Sequence, residues 1–199
     1  MLDLDIENYR KLDGLNNSRL TWLKQVVLRG QEINNNADYF VLGSEVDKLI
    51  THTNYESDSE QANEIYSGFK KNCPENFLQF ISIANKQVAF CSQIEFDRFN
   101  VIGKSLHDIY LSEISIDIKT TECKTKNQFK DACKYFEYDR QSWWYHATAK
   151  NKRSWILGIQ KTYPYNVFFV DADKDLKMHT DGKESAEYLS YIYYRLFLI

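Results

Sequence analysis

The chain has 199 residues, enough for one good-sized core and short for two. Apolar residues make up 43% and charged residues 27%, and two prolines with seven glycines argue against long disordered linkers. A net charge of −3 excludes a surface that attracts polyanions everywhere, so any nucleic acid must meet a local positive potential. The opening MLDLDIENYR lacks a basic region followed by an apolar run, and no apolar stretch approaches membrane-spanning length. No signal peptide or membrane partner is therefore expected, and the chain reads as cytoplasmic. Cys73, Cys91, Cys123 and Cys133 form no CxxC pair, which fits reduced thiols better than a zinc site.

In chain order, LNNSRLTWLKQVVLRG (15–30) has Leu20, Leu23, Val27 and Leu28 at helical spacing, with Asn17 or Ser18 as N-cap. YFVLGSEVDKLI starts a second helix around Ser44, and a third, short helix is expected near residues 60–71. From residue 77 the period changes to two, with turn signals at 84–86, 97–98 and 112–113, which predicts three or four antiparallel strands. KNQFKDACKYFEYDRQSWWYHATAK returns to helical spacing. SWILGIQK and YNVFFVDAD read as two more strands, and ESAEYLSYIYYRLFLI as a terminal amphipathic helix. The order predicts a mixed α/β fold in one domain spanning 1–199. Aromatics at 15% suit a packed sheet, and they also suit a surface on which bases stack.

The segment ISIDIKTTE (114–122) carries the chemistry. Side chains alternate along a strand, so Asp117 and Lys119 share one face, about 7 Å apart. A tight turn at Ser112-Glu113 sets residue 111 against 114 and 108 against 117, which puts Asp108 and Asp117 about 5 Å apart as cross-strand neighbours. Two carboxylates so placed need a positive partner. Magnesium fits, since it takes one or two carboxylates and leaves its other positions to water and phosphate oxygens. Asp47, on the second helix, is the candidate third carboxylate, and Lys119 stands one pleat away to hold water or phosphate.

The ordered set LNNSRLTWLK, LGSEVDKLI, IDIKTTE, FKDACKYFEYDRQSWWY and LGIQKTYPYNVFFV, over about residues 15–170, resembles the PD-(D/E)xK nuclease superfamily. It is most similar to the RecB-like and exonuclease VIII (RecE-type) branch of phage recombination exonucleases. Gly43 to Asp47, Asp117 to Thr121 and Gln141 to Tyr145 match three of that branch's motifs. The resemblance implies a restriction-endonuclease-like core, a central mixed sheet flanked by helices. It also implies magnesium-dependent hydrolysis of DNA, with manganese able to substitute, by a double-strand-end exonuclease of recombination or repair in a bacterial or phage-infected cell. Asp47, Asp108, Asp117 and the Ile118 carbonyl would hold metal, and Asp108, Asp117, Lys119 and Gln141 would be catalytic. The chain departs from the pattern at Leu106, where an Asp is expected; Asp108, two residues on, takes its place. Ser18, Arg19, Lys104, Arg140, Tyr145 and Lys161 are the expected nucleic-acid contacts, with Lys124, Lys126 and Arg153 on a positive rim.

Several readings stay open. Trp143 and Trp144 are adjacent, so at most one is expected in the core. His107 points away from Asp108 and reads as structural. The alternatives to an exonuclease are a structure- or site-specific endonuclease on the same fold and an inactive module that binds DNA or protein. Ring-like homo-oligomers occur among similar exonucleases, which makes the C-terminal helix a candidate interface.

Overall fold

A computed structural model describes residues 6–32 and 37–199. Five strands form one mixed sheet in sequential order, from β1 (Asn85–Phe96) and β2 (Phe99–Leu111) through β3 (Ile114–Thr121) and β4 (Arg153–Gln160) to β5 (Val167–Asp171). All neighbours are antiparallel except β3 and β4, which run parallel. Two helices, α6 (Lys126–Tyr135) and α7 (Tyr138–Ala149), make the crossover that a parallel pair requires. Three helices precede the sheet on its other side: α3 (Ala37–Thr51), α4 (Glu60–Asn72) and α5 (Glu75–Ile83). Among the described residues the first elements are α1 (Ile6–Lys11) and α2 (Asn17–Trp22), continued by a π-helical turn over Leu23–Leu28, and the last is α8 (Leu176–Phe197).

The two faces of the sheet have separate cores. Val46, Leu49, Ile65, Phe69, Phe77 and Ile81 from α3–α5 pack on Ile109, Ile116, Leu157 and Ile159. On the opposite face Phe129 and Cys133 of α6 cover Ile156, Phe168 and Val170. Beside them, α7 and α8 join α2 through Leu20, Leu23, Trp144, Ala186 and Leu189. Among the described residues no helix is long and apolar enough to cross a membrane.

Local chemistry explains most boundaries. Asn16 caps α2 by accepting from the Arg19 amide at 2.8 Å, one residue before the expected Asn17 or Ser18. Ser59, Thr125 and Asp175 cap α4, α6 and α8 in the same way. The turn joining β2 to β3 has positive φ at both Ser112 (49°) and Glu113 (67°), the conformation of a two-residue hairpin that matches strand twist.

Three expectations are corrected. The second helix does not start around Ser44, which lies inside α3 (Ala37–Thr51). Residues 77–83 are helical, because apolar positions at 77, 78, 80 and 81 satisfy both periods and Pro74 opens a helix that buries Phe77 and Ile81, four apart. Trp143 and Trp144 are both buried. The sheet lies on one side of α7 and α8 on another, so two adjacent directions along this helix both meet core.

Candidate active site

The β2–β3 ladder is short. It pairs Leu111 with Ile114, Tyr110 with Ser115 and Ile109 with Ile116, then stops. The register matches the symmetric turn, and Asp108 and Asp117 stand where the strands part. Beyond this fork β3 continues along β4 as far as Thr121 and Gln160, while β2 stays with β1. Asp108 bridges the gap by accepting the Ile118 amide at 2.8 Å, a side-chain bond in place of a ladder bond. On its other side, Gln87 of β1 leaves the regular pairing with φ of 51°.

Around the fork lies a cleft of about 1020 Å³. Its lining includes Asp47, Gln87, Asp108, Asp117, Lys119 and Gln141. Helix α3 presents Phe40, Gly43, Ser44 and Asp47 to it, the spacing of one helical face. Gly43 allows the helix close to β3, since a Cβ there would come within 3.3 Å of Thr120 Oγ1.

Lys119 Nζ pairs with Asp117 Oδ2 at 2.5 Å and rests 5.0 Å from the centre of the Tyr138 ring. Gln141 Nε2 donates to Asp117 Oδ1 at 2.8 Å and lies 2.9 Å from Tyr145 Oη. Gln87 Nε2 stands between two other carboxylates, 3.3 Å from Asp47 Oδ2 and 3.4 Å from Asp108 Oδ1. Asp47 Oδ1 is buried with no hydrogen-bond partner.

The electrostatics show an excess of negative charge. Burial, then the Asp117 carboxylate, pushes the Asp47 pKa up to about 6. Burial, then Asp117 and Asp47, raises that of Asp108 well above the carboxylate range. Burial disfavours the charged form of Lys119, but Asp117 and Asp108 outweigh it and hold its pKa above that of a free lysine. Lys119 is therefore an ammonium group here. As they stand, no three carboxylate, imidazole or thiol groups among the described residues are arranged to hold a metal ion. The neutral Gln87 amide donates toward Asp47 and Asp108, the Lys119 ammonium pairs with Asp117, and the Lys48 charge also acts on Asp47.

Other expected contacts fall differently. Lys104 is buried, with Nζ donating to the carbonyls of Leu12 (2.6 Å) and Tyr9 (3.2 Å). Arg140 is buried too, held by Asn17, Thr21 and Glu137. Both charges are tied to groups of the fold, and Lys104 also lines the cleft. Lys161 lines the cleft just past β4, also buried, with Nζ 3.5 Å from Glu122. Ser18 is exposed at the cleft, whereas Arg19 pairs with Asp13 and lies over the Tyr193 ring. His107 is fully buried, bonded to Ser105 and stacked at 4.4 Å on Tyr145. Sequence reasoning missed Gln87 and Tyr138: the first depends on a left-handed backbone that no local motif marks, the second on where α6 breaks from α7.

No family model matches the chain, and no curated protein matches it in sequence. Its architecture does match solved structures. A protein from Eubacterium rectale described as a "putative exonuclease" superimposes with a TM-score of 0.71 at 16% identity, covering 98% of this chain and 86% of that one. A phage-related exonuclease from Haemophilus somnus 129PT gives 0.43 at 14% identity, covering 94% and 96%. The first likeness shows a shared fold, a mixed sheet flanked by helices.

Proposed function

We propose that the chain is a metal-dependent deoxyribonuclease, acting as an exonuclease on duplex ends in recombination or repair. The observation that carries this is the meeting of Asp47, Asp108, Asp117, Lys119 and Gln141 at the β2–β3 fork. The description of the Eubacterium rectale protein, which shares the fold, supports it.

The donor set fits a hard divalent cation. It consists of oxygens, it includes the orphaned Asp47 Oδ1, and burial followed by neighbouring carboxylates raises the pKa of Asp47 and of Asp108. Asp47, Asp108 and Asp117 would hold magnesium, or manganese in its place, with the Ile118 carbonyl. When bound, the ion supplies Lewis acidity toward a phosphate oxygen and lowers the pKa of bound water.

The remaining work belongs to the chain's own groups. Lys119, as an ammonium, donates hydrogen bonds to a phosphate oxygen or to the attacking water and offsets charge that builds on the phosphoryl group. Gln141 fixes the orientation of Asp117 and is itself tied to Tyr145. The Tyr138 face keeps the ammonium over the cleft floor.

The decisive substrates are an end-labelled linear duplex and a closed circle of the same DNA, each with magnesium. An exonuclease degrades the first and leaves the second intact. Cutting of the circle favours the endonuclease alternative. No turnover of either leaves an inactive DNA-binding module, a reading favoured by the Gln87 amide and Lys119 ammonium that already answer the carboxylates.

A further inference from the structure

We propose that the cleft receives an unpaired DNA strand whose bases stack on a ladder of aromatic rings, so the substrate is a single-stranded or frayed end. This rests on the nuclease reading of the same site and adds the state of the strand it takes. The ladder starts at the reacting lysine. Tyr138 lies under Lys119 Nζ, Phe136 stacks on Tyr138 with centroids 5.7 Å apart and planes 24° from parallel, and Tyr135 meets Phe136 edge-on at 4.9 Å. The rings run outward into solvent, with Phe136 59% and Tyr135 81% exposed. Across the cleft, Phe40 is 68% exposed on the α3 face that carries Asp47.

The fold keeps these rings exposed by a braced distortion. Between α6 and α7, Glu137 adopts a left-handed conformation with φ of 58°, which a non-glycine residue adopts only at a cost in free energy. Its carboxylate is held by Lys24 and Arg140, so the corner that projects Phe136 is fixed before any ligand arrives. Core packing does not account for Tyr135, Phe136 or Phe40, because all three lie outside the buried clusters.

Burial at the floor points the same way. Asp117 is 6% exposed and the Lys119 side chain 21%, so a scissile phosphate must descend between the walls. A base-paired strand brings its complement with it, whereas an unpaired strand enters alone and offers its base faces to the rings. Stacking on rings tolerates any sequence, and exposed Lys134 directly precedes Tyr135 and Phe136 in the chain, a cation available to a phosphate.

The test is binding of the full chain to fluorescently labelled oligodeoxythymidine, a fork with unpaired ends and a blunt duplex, by anisotropy in EDTA so that nothing is cut. The expected result is single-strand and fork binding at least ten-fold tighter than blunt duplex. Phe136→Ala should weaken the single strand five-fold or more, as the loss of one stacked base predicts, and Phe136→Trp should restore it. Equal affinity for blunt duplex, no single-strand binding, or Phe136→Ala binding like wild type would each overturn the proposal. Cleavage is scored separately with magnesium: ring-dependent binding without any cleavage supports the stacking track and defeats the nuclease reading alone.

Discussion

Asp117 is gripped from two sides, by the Lys119 ammonium and the Gln141 amide, while Asp47 keeps one oxygen with no partner. That asymmetry separates their energetics. Asp47 binds its proton up to about pH 6 in the fold but only to about pH 3.9 when unfolded. A raised carboxylate pKa means that the folded state holds the extra proton between those values. The penalty for ionising Asp47 is therefore fully present above pH 6 and is relieved as pH falls through 6 toward 4. Asp47→Asn, which keeps an acceptor for Gln87, should stabilise the metal-free protein by on the order of 1 kcal/mol at pH 7.5 and by much less at pH 4.5. Thermal melting of both proteins at the two pH values checks this, and an equal gap at both would show that ionisation of Asp47 carries no cost. Sequence alone displayed Asp117 and Lys119, because a strand's alternation sets two neighbours on one face. It reached Asp108 through the turn register despite Leu106. Gln87 stayed hidden, since its role depends on a positive φ that glutamine rarely adopts.

Helix α7 is the element on which the site depends most. It supplies Tyr138, Gln141 and Tyr145 to the cleft while burying Trp143 and Trp144 behind it. Its position is set by α8, where Gly182 meets the Asp139 carbonyl; a Cβ there would lie 2.5 Å from that oxygen. Gly182→Ala should push the helices apart and cost about 1–3 kcal/mol, and it should reduce cleavage by shifting Gln141. Denaturant unfolding and turnover check the two effects, and a variant unchanged in both would show that this contact does not position α7. The adjacent tryptophans read as divided between core and surface because an isolated amphipathic helix buries one stripe. A helix clamped between a sheet and another helix buries two. The same limit explains residues 77–83, where a short apolar run fits strand and helix equally and Pro74 decides. The hairpin turns at 97–98 and 112–113 were legible because turn chemistry is local.

Across the whole molecule, a net charge of −3 leaves function to local fields, and at the cleft floor three carboxylates share a buried site in which the pKa of Asp47 and of Asp108 is raised. A cation bound there stabilises only the folded chain, so saturating magnesium or manganese should raise the melting temperature by mass action. The shift should shrink as pH falls through about 6, where protons compete for Asp47. A melting temperature indifferent to either ion at neutral pH would count against a metal site. The general architecture was legible because helix, strand and turn patterns change period along the chain. Which of the cations expected around the site face solvent was not, since a lysine or arginine looks the same in sequence whether it is exposed, like Lys124 and Lys126, or, like Lys104 and Arg140, buried and tied to a carbonyl or a carboxylate.

The most direct measurement compares wild type with Asp117→Ala and Lys119→Ala on end-labelled duplex DNA in magnesium, after each variant is shown to be folded by circular dichroism. Catalysis at the fork predicts that both variants lose cleavage by a hundred-fold or more, about the cost of removing a group that answers developing charge. Cleavage by either variant at the wild-type rate would place the chemistry elsewhere and contradict the assignment.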